Sequence, residues 1–157
     1  MYSINKDELA AQSEMVLEEP ALVIVAEPAF VHEVLVRVQA GFPSPAEDLG
    51  IARVDLNKIL IKNPEATFVM CVRGASVRDA GIDDGDFLIV DRSINARHRH
   101  MVVAVVDGEF TLKRLWKRGG ALKLQPANAD FGDIVPQDGE TVEVWGVATY
   151  AFKSLIL

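Results

Sequence analysis

The sequence contains a single cysteine, Cys71, among its 157 residues. A lone cysteine excludes an intrachain disulfide and any metal site built from several thiolates. Cys71 lies in an apolar run, so we interpret it as a small, inward-facing residue rather than a reactive thiol. No function is assigned to its sulfur.

Long hydrophobic runs are also missing. No apolar stretch approaches the roughly 20 residues of a membrane-spanning helix. The N-terminus carries Asp7, Glu8 and Glu14 where a secretory signal would need basic residues. The chain is therefore expected to be cytoplasmic and to have no membrane partner.

The chain has no excess of positive charge. It has 16 Lys and Arg against 23 Asp and Glu, which gives a net charge of −7. An acidic chain repels the phosphate backbone, so direct nucleic-acid binding is not expected. Residues 1–40 carry −5 of this charge, and the remainder is nearly balanced. The N-terminal segment therefore differs in character from the rest.

Most of the chain after this segment is predicted to form strands. Apolar, β-branched stretches alternate with Asp-Gly or Gly-Gly pairs, which are typical of tight turns, above all Asp107-Gly108. The predicted strands span residues 67–72, 86–91, 101–106, 109–116, 121–125 and 141–152. Regularly spaced short strands favour a mainly β fold, either a sandwich or a partly closed barrel.

One short helix is predicted before the strands, over residues 55–60. Asp55 is a suitable N-cap, because its side chain can accept a hydrogen bond from the first turn. The apolar residues Leu56, Ile59 and Leu60 are expected to face inward. Pro64 would prevent the helix from continuing.

The acidic segment 1–40 contains two short strand-like pieces, 22–25 and 34–38. Apolar pieces inside an acidic segment indicate docking onto another surface. Residues 39–45 join this arm to the body, and the two prolines there hold the backbone extended. Composition alone favours a linker, and the alternative is a peptide bond displayed to a protease.

Ser76 and Lys113 are candidate catalytic residues. Ser76 follows Gly74 just past a predicted strand, although most serines in such turns only hydrogen-bond the backbone. Lys113 lies among apolar residues, and desolvation there would lower its pKa from about 10.4 toward neutrality. A neutral amine can take the proton of a serine hydroxyl, but most strand lysines extend into solvent.

The three histidines offer a rival base. His98 and His100 lie in a basic stretch that we interpret as a solvated loop, and His32 is expected to be exposed. A Ser–His hydrolase using His98 or His100 is therefore an alternative. No cysteine or carboxylate cluster accompanies these histidines, so no metal or other cofactor is predicted.

Five stretches together resemble the UmuD family of LexA-like, self-cleaving Ser–Lys peptidases. They are residues 39–46, 53–57, 74–76, 81–91 and 106–113, in the family's order and spacing. The resemblance implies the β-clip or barrel-like fold shared with LexA and signal peptidases. It also implies a cleavable arm at residues 1–40 and a peptidase domain at residues 41–157.

The same resemblance implies roles for individual residues. Ser76 would be the nucleophile and Lys113 its general base. The backbone amides of Ala75 and Ser76 would hold the developing oxyanion. The bond attacked would be Ala40–Gly41 of the protein's own arm.

The family's biology then suggests a function in the SOS response. The RecA filament on single-stranded DNA would stimulate the cut, and the shortened homodimer would join a UmuC-like Y-family subunit in error-prone translesion synthesis. A LexA-like repressor would need a helix-turn-helix before the cut, which the arm does not supply, and a signal peptidase would need a membrane anchor. A catalytically inert β-domain that binds a polymerase is the other alternative.

Two positions depart from the family's pattern. The family usually has Gly-Asp-Ser-Met where this chain has Gly-Ala-Ser-Val. Ala75 would contribute only its backbone, so its side chain is of little consequence. Val77 is shorter and β-branched, which changes the local pocket and bears on the cleavage rate. Neither change removes a reacting group.

Overall fold

A computed structural model describes residues 21–22, 28–34, 51–137 and 141–156. The Ala40–Gly41 bond and the linker of residues 39–45 lie outside the described residues, as does most of both strand-like pieces of the arm. The chain divides into two compact units. The larger comprises Met1–Val23 with Asn63–Leu157, and the smaller comprises Ile24–Lys62.

The described residues form nine strands, one α-helix and two 3-10 turns. These elements are β1 (Ala21–Leu22), β2 (Phe30–Val34), β3 (Ile51–Asp55), α1 (Leu56–Leu60), a 3-10 turn (Pro64–Ala66), β4 (Thr67–Cys71), a second 3-10 turn (Arg78–Ala80), β5 (Phe87–Asp91), β6 (Met101–Val106), β7 (Glu109–Arg118), β8 (Ala121–Gln125) and β9 (Val142–Phe152).

The smaller unit contains an antiparallel pair, β2 with β3, followed directly by α1. Asp55 caps α1 as predicted, because its carboxylate accepts a 3.0 Å hydrogen bond from the Asn57 amide. The prediction that the apolar residues of this helix face inward is wrong for Leu56 and Ile59, which are 37% and 41% exposed. With about 3.6 residues per turn, a five-residue helix is too short to form a continuous apolar stripe.

The larger unit is built on a seven-stranded antiparallel sheet, in the order β1-β4-β5-β9-β6-β7-β8. The six strands predicted after residue 66 correspond to β4 through β9. The bounds of β6 and β8 are as predicted, and each of the other four differs at one end by one or two residues. The mainly β fold is therefore confirmed. Among the described strands, β1 and β8 are the outer pair and do not join, so the sheet is open rather than a closed barrel.

Two-residue turns connect β6 to β7 and β7 to β8. Asp107 and Gly108 have φ values of 48° and 87°, and Gly119 and Gly120 have 56° and 81°. Positive φ at both central positions is the turn geometry that matches the twist of paired strands. The predicted Asp-Gly hairpin is confirmed, and it fixes the register of β7 against β6.

The buried side chains of the larger unit form two clusters. The first contains Val72, Val77, Ile82, Leu88, Val90, Val103 and Ala127. The second contains Val102, Ala104, Leu115, Leu124 and Val147. Val77 follows Ser76 directly, and Leu115 lies two residues after Lys113; each is 1% exposed. Close packing of these neighbours therefore restrains the backbone beside both residues.

Candidate active site

Ser76 lies in a loop that is fixed on both sides. Gly74 adopts the left-handed conformation, with φ 86°, which glycine reaches without strain. Its amide donates a 2.7 Å hydrogen bond to the Asp84 carboxylate. On the other side, Val77 is buried and leads into the 3-10 turn of Arg78–Ala80. The half-buried Ser76 side chain is thereby held just past the end of β4.

The segment after β8 also holds this loop. The Ala127 amide donates a 2.8 Å hydrogen bond to the Ser76 carbonyl, and the Asp79 amide donates a 2.7 Å bond to the Ala127 carbonyl. The side-chain amide of Asn128 donates a 2.6 Å bond to the Ala75 carbonyl. Sequence reasoning assigned no role to these residues, because Pro-Ala-Asn after a strand resembles any loop.

Lys113 is placed by the register of β7. It lies opposite Val102 of β6, which is fully buried, and the lysine itself is 7% exposed. Residues two apart on a strand share a face, so Thr111 and Leu115 lie on the same side as Lys113. The side chain therefore runs among buried neighbours instead of reaching into solvent.

The structure brings Lys113 and Ser76 together. The lysine Nζ donates to Ser76 Oγ at 2.9 Å, to Thr111 Oγ1 at 2.9 Å and to the Leu112 carbonyl at 3.2 Å. A serine hydroxyl both donates and accepts, so the contact has the geometry needed for proton transfer to a neutral amine. Thr111 was not predicted as a site residue. The available signal was its position two residues before Lys113, because residues two apart on a strand share a face.

Burial lowers the pKa of Lys113 below its ordinary value of 10.5. Removing an ammonium from water disfavours its charged form. The three hydrogen-bond partners are uncharged, so none of them offsets this effect as a carboxylate would. The site therefore favours the neutral amine that base catalysis requires.

Residues 33–149 match the Peptidase S24-like family. The chain belongs to this family. It is 43% identical over 118 residues to Protein MucA of Salmonella typhimurium, covering 74% of this chain and 80% of MucA. It is 42% identical over 115 residues to Protein ImpA of Escherichia coli, covering 73% and 77% of the two chains. These UmuD-family relatives confirm the resemblance seen in the motifs.

A LexA repressor, from Azoarcus sp. strain BH72, is 41% identical over 128 residues, covering 81% of this chain and 63% of the repressor. Membership in the Peptidase S24-like family makes the chain a member of a serine-peptidase, self-cleaving class. Its UmuD-family relatives support a role in SOS mutagenesis.

The amides of Ala75 and Ser76, which the family resemblance assigns to an oxyanion site, lie in the loop between β4 and the second 3-10 turn. Within the described part of the chain, the amides of Ala75 and Ser76 donate no hydrogen bond. Both belong to the loop that carries Ser76 Oγ, and a free backbone N–H can stabilise negative charge on a nearby carbonyl oxygen. The peptide bond predicted to be cut, Ala40–Gly41, lies outside the described residues.

The histidines are engaged elsewhere in the domain. His98 Nδ1 accepts from the Lys117 amide at 3.2 Å, and its ring packs edge-on against Trp116. Partial burial and the nearby Arg118 and Arg99 lower the pKa of His98. His100 Nδ1 accepts from the Arg97 amide. Among the described residues, the side-chain partner of Ser76 Oγ is Lys113 and not a histidine.

Three further features bear on other possible functions: the thiol of Cys71, groups of metal-ligating residues, and long apolar helices. Cys71 is half-buried in β4, and burial, together with Asp84, raises the pKa of its thiol. No three His, Cys, Asp or Glu residues of the described ranges are grouped to hold a metal ion. None of the described helices is long and apolar enough to cross a membrane.

We expect Lys113→Met to remove a pH dependence from the free energy of unfolding. Burial lowers the folded-state pKa, so between that pKa and 10.5 the unfolded chain binds more protons than the folded chain. Stability therefore rises with pH through that window, and below it the buried charge destabilises the fold. Urea titrations at about pH 7 and about pH 10 measure the change.

Both proteins in that comparison carry Ser76→Ala, so that no chain is cut during the titration. The difference between them isolates Lys113 from the other lysines that titrate in the same range. An equal rise in the presence and absence of Lys113 would contradict the lowered pKa.

Proposed function

We propose that this protein cuts its own chain at Ala40–Gly41, with Ser76 as nucleophile and Lys113 as general base. The observation that carries the proposal is the 2.9 Å contact between Lys113 Nζ and Ser76 Oγ at a buried position of the sheet. Membership in the Peptidase S24-like family supports it independently. The cut would divide the chain into an arm of residues 1–40 and a domain of residues 41–157.

The first step is acylation of Ser76. The neutral amine of Lys113 takes the hydroxyl proton as Oγ attacks the Ala40 carbonyl carbon. The carbonyl oxygen becomes an oxyanion, which accepts hydrogen bonds from the Ala75 and Ser76 amides. When the C–N bond breaks, the Lys113 ammonium returns the proton to the departing amine of Gly41. Ala40 remains as an ester on Ser76.

The second step is hydrolysis of that ester. Lys113, neutral again, takes a proton from water as the water oxygen attacks the ester carbonyl. The C–Oγ bond breaks, the proton passes to Oγ, and the arm leaves with a free carboxylate. Thr111 Oγ1 and the Leu112 carbonyl accept the remaining N–H groups of the amine, which directs its lone pair toward Ser76.

We further propose that the RecA filament on single-stranded DNA stimulates the cut by favouring the docked arm. The shortened homodimer would then join a UmuC-like polymerase subunit in translesion synthesis. These partners are cytoplasmic, and we propose the same location for this protein. Cleavage would also remove −5 of the net charge with residues 1–40, which changes the surfaces that the body can approach.

The test is incubation of the purified chain across a pH series from about 6 to about 11, with Lys117→Met as a matched control. We expect two products, with Gly41 as the new N-terminus by mass spectrometry. The rate should rise with pH through a midpoint below 10.5, because burial lowers the Lys113 pKa. Lys117 is exposed on the same strand, so its variant should cleave like the parent.

An intact chain after alkaline incubation would contradict the peptidase proposal. It would leave the inert polymerase-binding domain as the better interpretation. A cut at another bond would preserve the chemistry and contradict the assignment of Ala40–Gly41.

A further inference from the structure

We propose that Asn128 is a positioning residue for the oxyanion site: it orients the Ala75–Ser76 peptide so that the Ser76 amide points at the developing charge. This inference rests on the proposed self-cleavage. It concerns a residue outside the motifs that carry the family resemblance. Asn128 lies 53 positions from Ala75 in sequence, in the segment after β8.

Asn128 contacts the peptide group between Ala75 and Ser76, whose N–H is one of the two proposed oxyanion donors. The Asn128 Nδ2 donates to the Ala75 carbonyl at 2.6 Å, and the Arg78 amide donates to the same oxygen at 3.3 Å. The Ala75 carbonyl and the Ser76 N–H belong to a single planar, trans peptide unit. In such a unit the two groups point in opposite directions. Holding the carbonyl therefore fixes the direction of the N–H.

Asn128 is itself held firmly. Its side chain is 6% exposed, and its Oδ1 accepts a 3.0 Å hydrogen bond from the Asp130 amide. The Asp130 amide can only donate and the Ala75 carbonyl can only accept, so the two ends of the Asn128 amide are assigned unambiguously. Both ends of this buried amide are satisfied, which fixes its rotamer.

Attachment of the two loops does not by itself require this side chain. Two backbone hydrogen bonds, Ala127 to Ser76 and Asp79 to Ala127, already join the segments. Asn128 adds a third bond at the carbonyl of the oxyanion peptide, and burying a primary amide there is costly unless it is fully hydrogen-bonded. The placement fits orientation of the Ser76 N–H better than simple cohesion.

The test compares self-cleavage of the full chain with that of Asn128→Asp and Asn128→Ala across the pH series. Asn128→Asp keeps the acceptor for Asp130 but loses the donor to Ala75. We expect the plateau rate to fall about tenfold to a hundredfold, part of the effect of deleting an oxyanion donor. The pH midpoint should stay unchanged in Asn128→Ala, which adds no charge near Lys113. In Asn128→Asp the new carboxylate favours the charged form of Lys113, so the midpoint should move to higher pH. Asn128→Ala should show the same fall in the plateau rate.

Asp130→Asn is the matched control on the same loop. Its carboxylate is exposed and, within the described ranges, its side-chain contact is a 3.7 Å surface ion pair with Arg78. We expect this variant to cleave within about twofold of the parent, since such pairs contribute little. Thermal unfolding of each variant establishes that the chain is folded at the assay temperature.

A second measurement tests whether Asn128 acts on the backbone amide of residue 76 or on the side chain of that residue. In a Ser76→Cys background, alkylation by iodoacetamide needs a reactive thiolate but forms no oxyanion. Peptide mapping distinguishes the thiol at position 76 from Cys71. We expect Asn128→Ala, which adds no charge, to leave the alkylation rate at position 76 within about twofold, because it displaces neither Lys113 nor the side chain at 76.

Three results would overturn the inference. Parental cleavage by both Asn128 variants would overturn it and leave the peptidase proposal standing. A parallel loss of alkylation and cleavage would show that Asn128 holds the nucleophile instead of the amide. Absence of cleavage in the parent chain itself would remove both the proposed function and the role of Asn128.

Discussion

Replacing Lys113 by arginine is expected to abolish self-cleavage over the range from about pH 6 to about pH 10, with a loss of at least a thousandfold. The guanidinium keeps its proton throughout this range, so it has no lone pair to take the proton of Ser76. Positive charge at the site is therefore not sufficient for the reaction. Quantifying the arm fragment over time by mass spectrometry measures the rate.

Lys113→Met is the companion variant, because it removes the amine without placing a larger cation in a buried position. The same change at the exposed Lys117 is the control and should leave the rate unaltered. Circular dichroism confirms that both Lys113 variants are folded. Cleavage by Lys113→Arg within about tenfold of the parent rate would eliminate Lys113 as base and return attention to His98 and His100.

Ser76→Ala is expected to have the largest effect, with a rate loss on the order of a millionfold. The substitution removes the attacking oxygen while leaving Lys113 hydrogen-bonded to Thr111 and to the Leu112 carbonyl. Prolonged alkaline incubation followed by intact-mass measurement sets the limit on residual cleavage.

Ser154→Ala serves as the control for that experiment, since Ser154 is exposed and its hydroxyl contacts only the Ile156 carbonyl among the described residues. It should cleave at the parent rate. Appearance of the Gly41 N-terminus in purified Ser76→Ala would mean that another nucleophile, or a contaminating protease, makes the cut.

The six strands after residue 66 could be predicted because their signals are local. Apolar runs mark these strands, Asp-Gly or Gly-Gly pairs mark several of their turns, and the hairpin at Asp107-Gly108 sets the register of β7. The burial of Lys113 was harder to predict, because the sequence shows apolar neighbours but not the strand that lies opposite. Lys113 is buried because β7 pairs with β6 in a register that places the lysine opposite Val102.

Among the features that escaped sequence reasoning, two did so for different physical reasons. The exposure of Leu56 and Ile59 follows from the shortness of α1, whereas apolar spacing alone indicated an inward face. The contact between Asn128 and Ala75 depends on tertiary packing across 53 positions, and no local pattern marks an asparagine for that role. Long-range polar contacts of this kind become visible only once the chain is folded.

The pairing of β1 with β4 has a consequence for the shortened protein. β1 lies within residues 1–40, and its backbone pairs with Phe68 and Val69 along one side of β4. The proposed cut at Ala40–Gly41 would allow β1 to leave, and β4 would then become a sheet margin with unsatisfied peptide groups. Such a margin can accept an extended segment from another chain. Trimming would thus create a place of attachment as well as removing a tail, and amide deuterium exchange at residues 68–69 should quicken once the arm has dissociated.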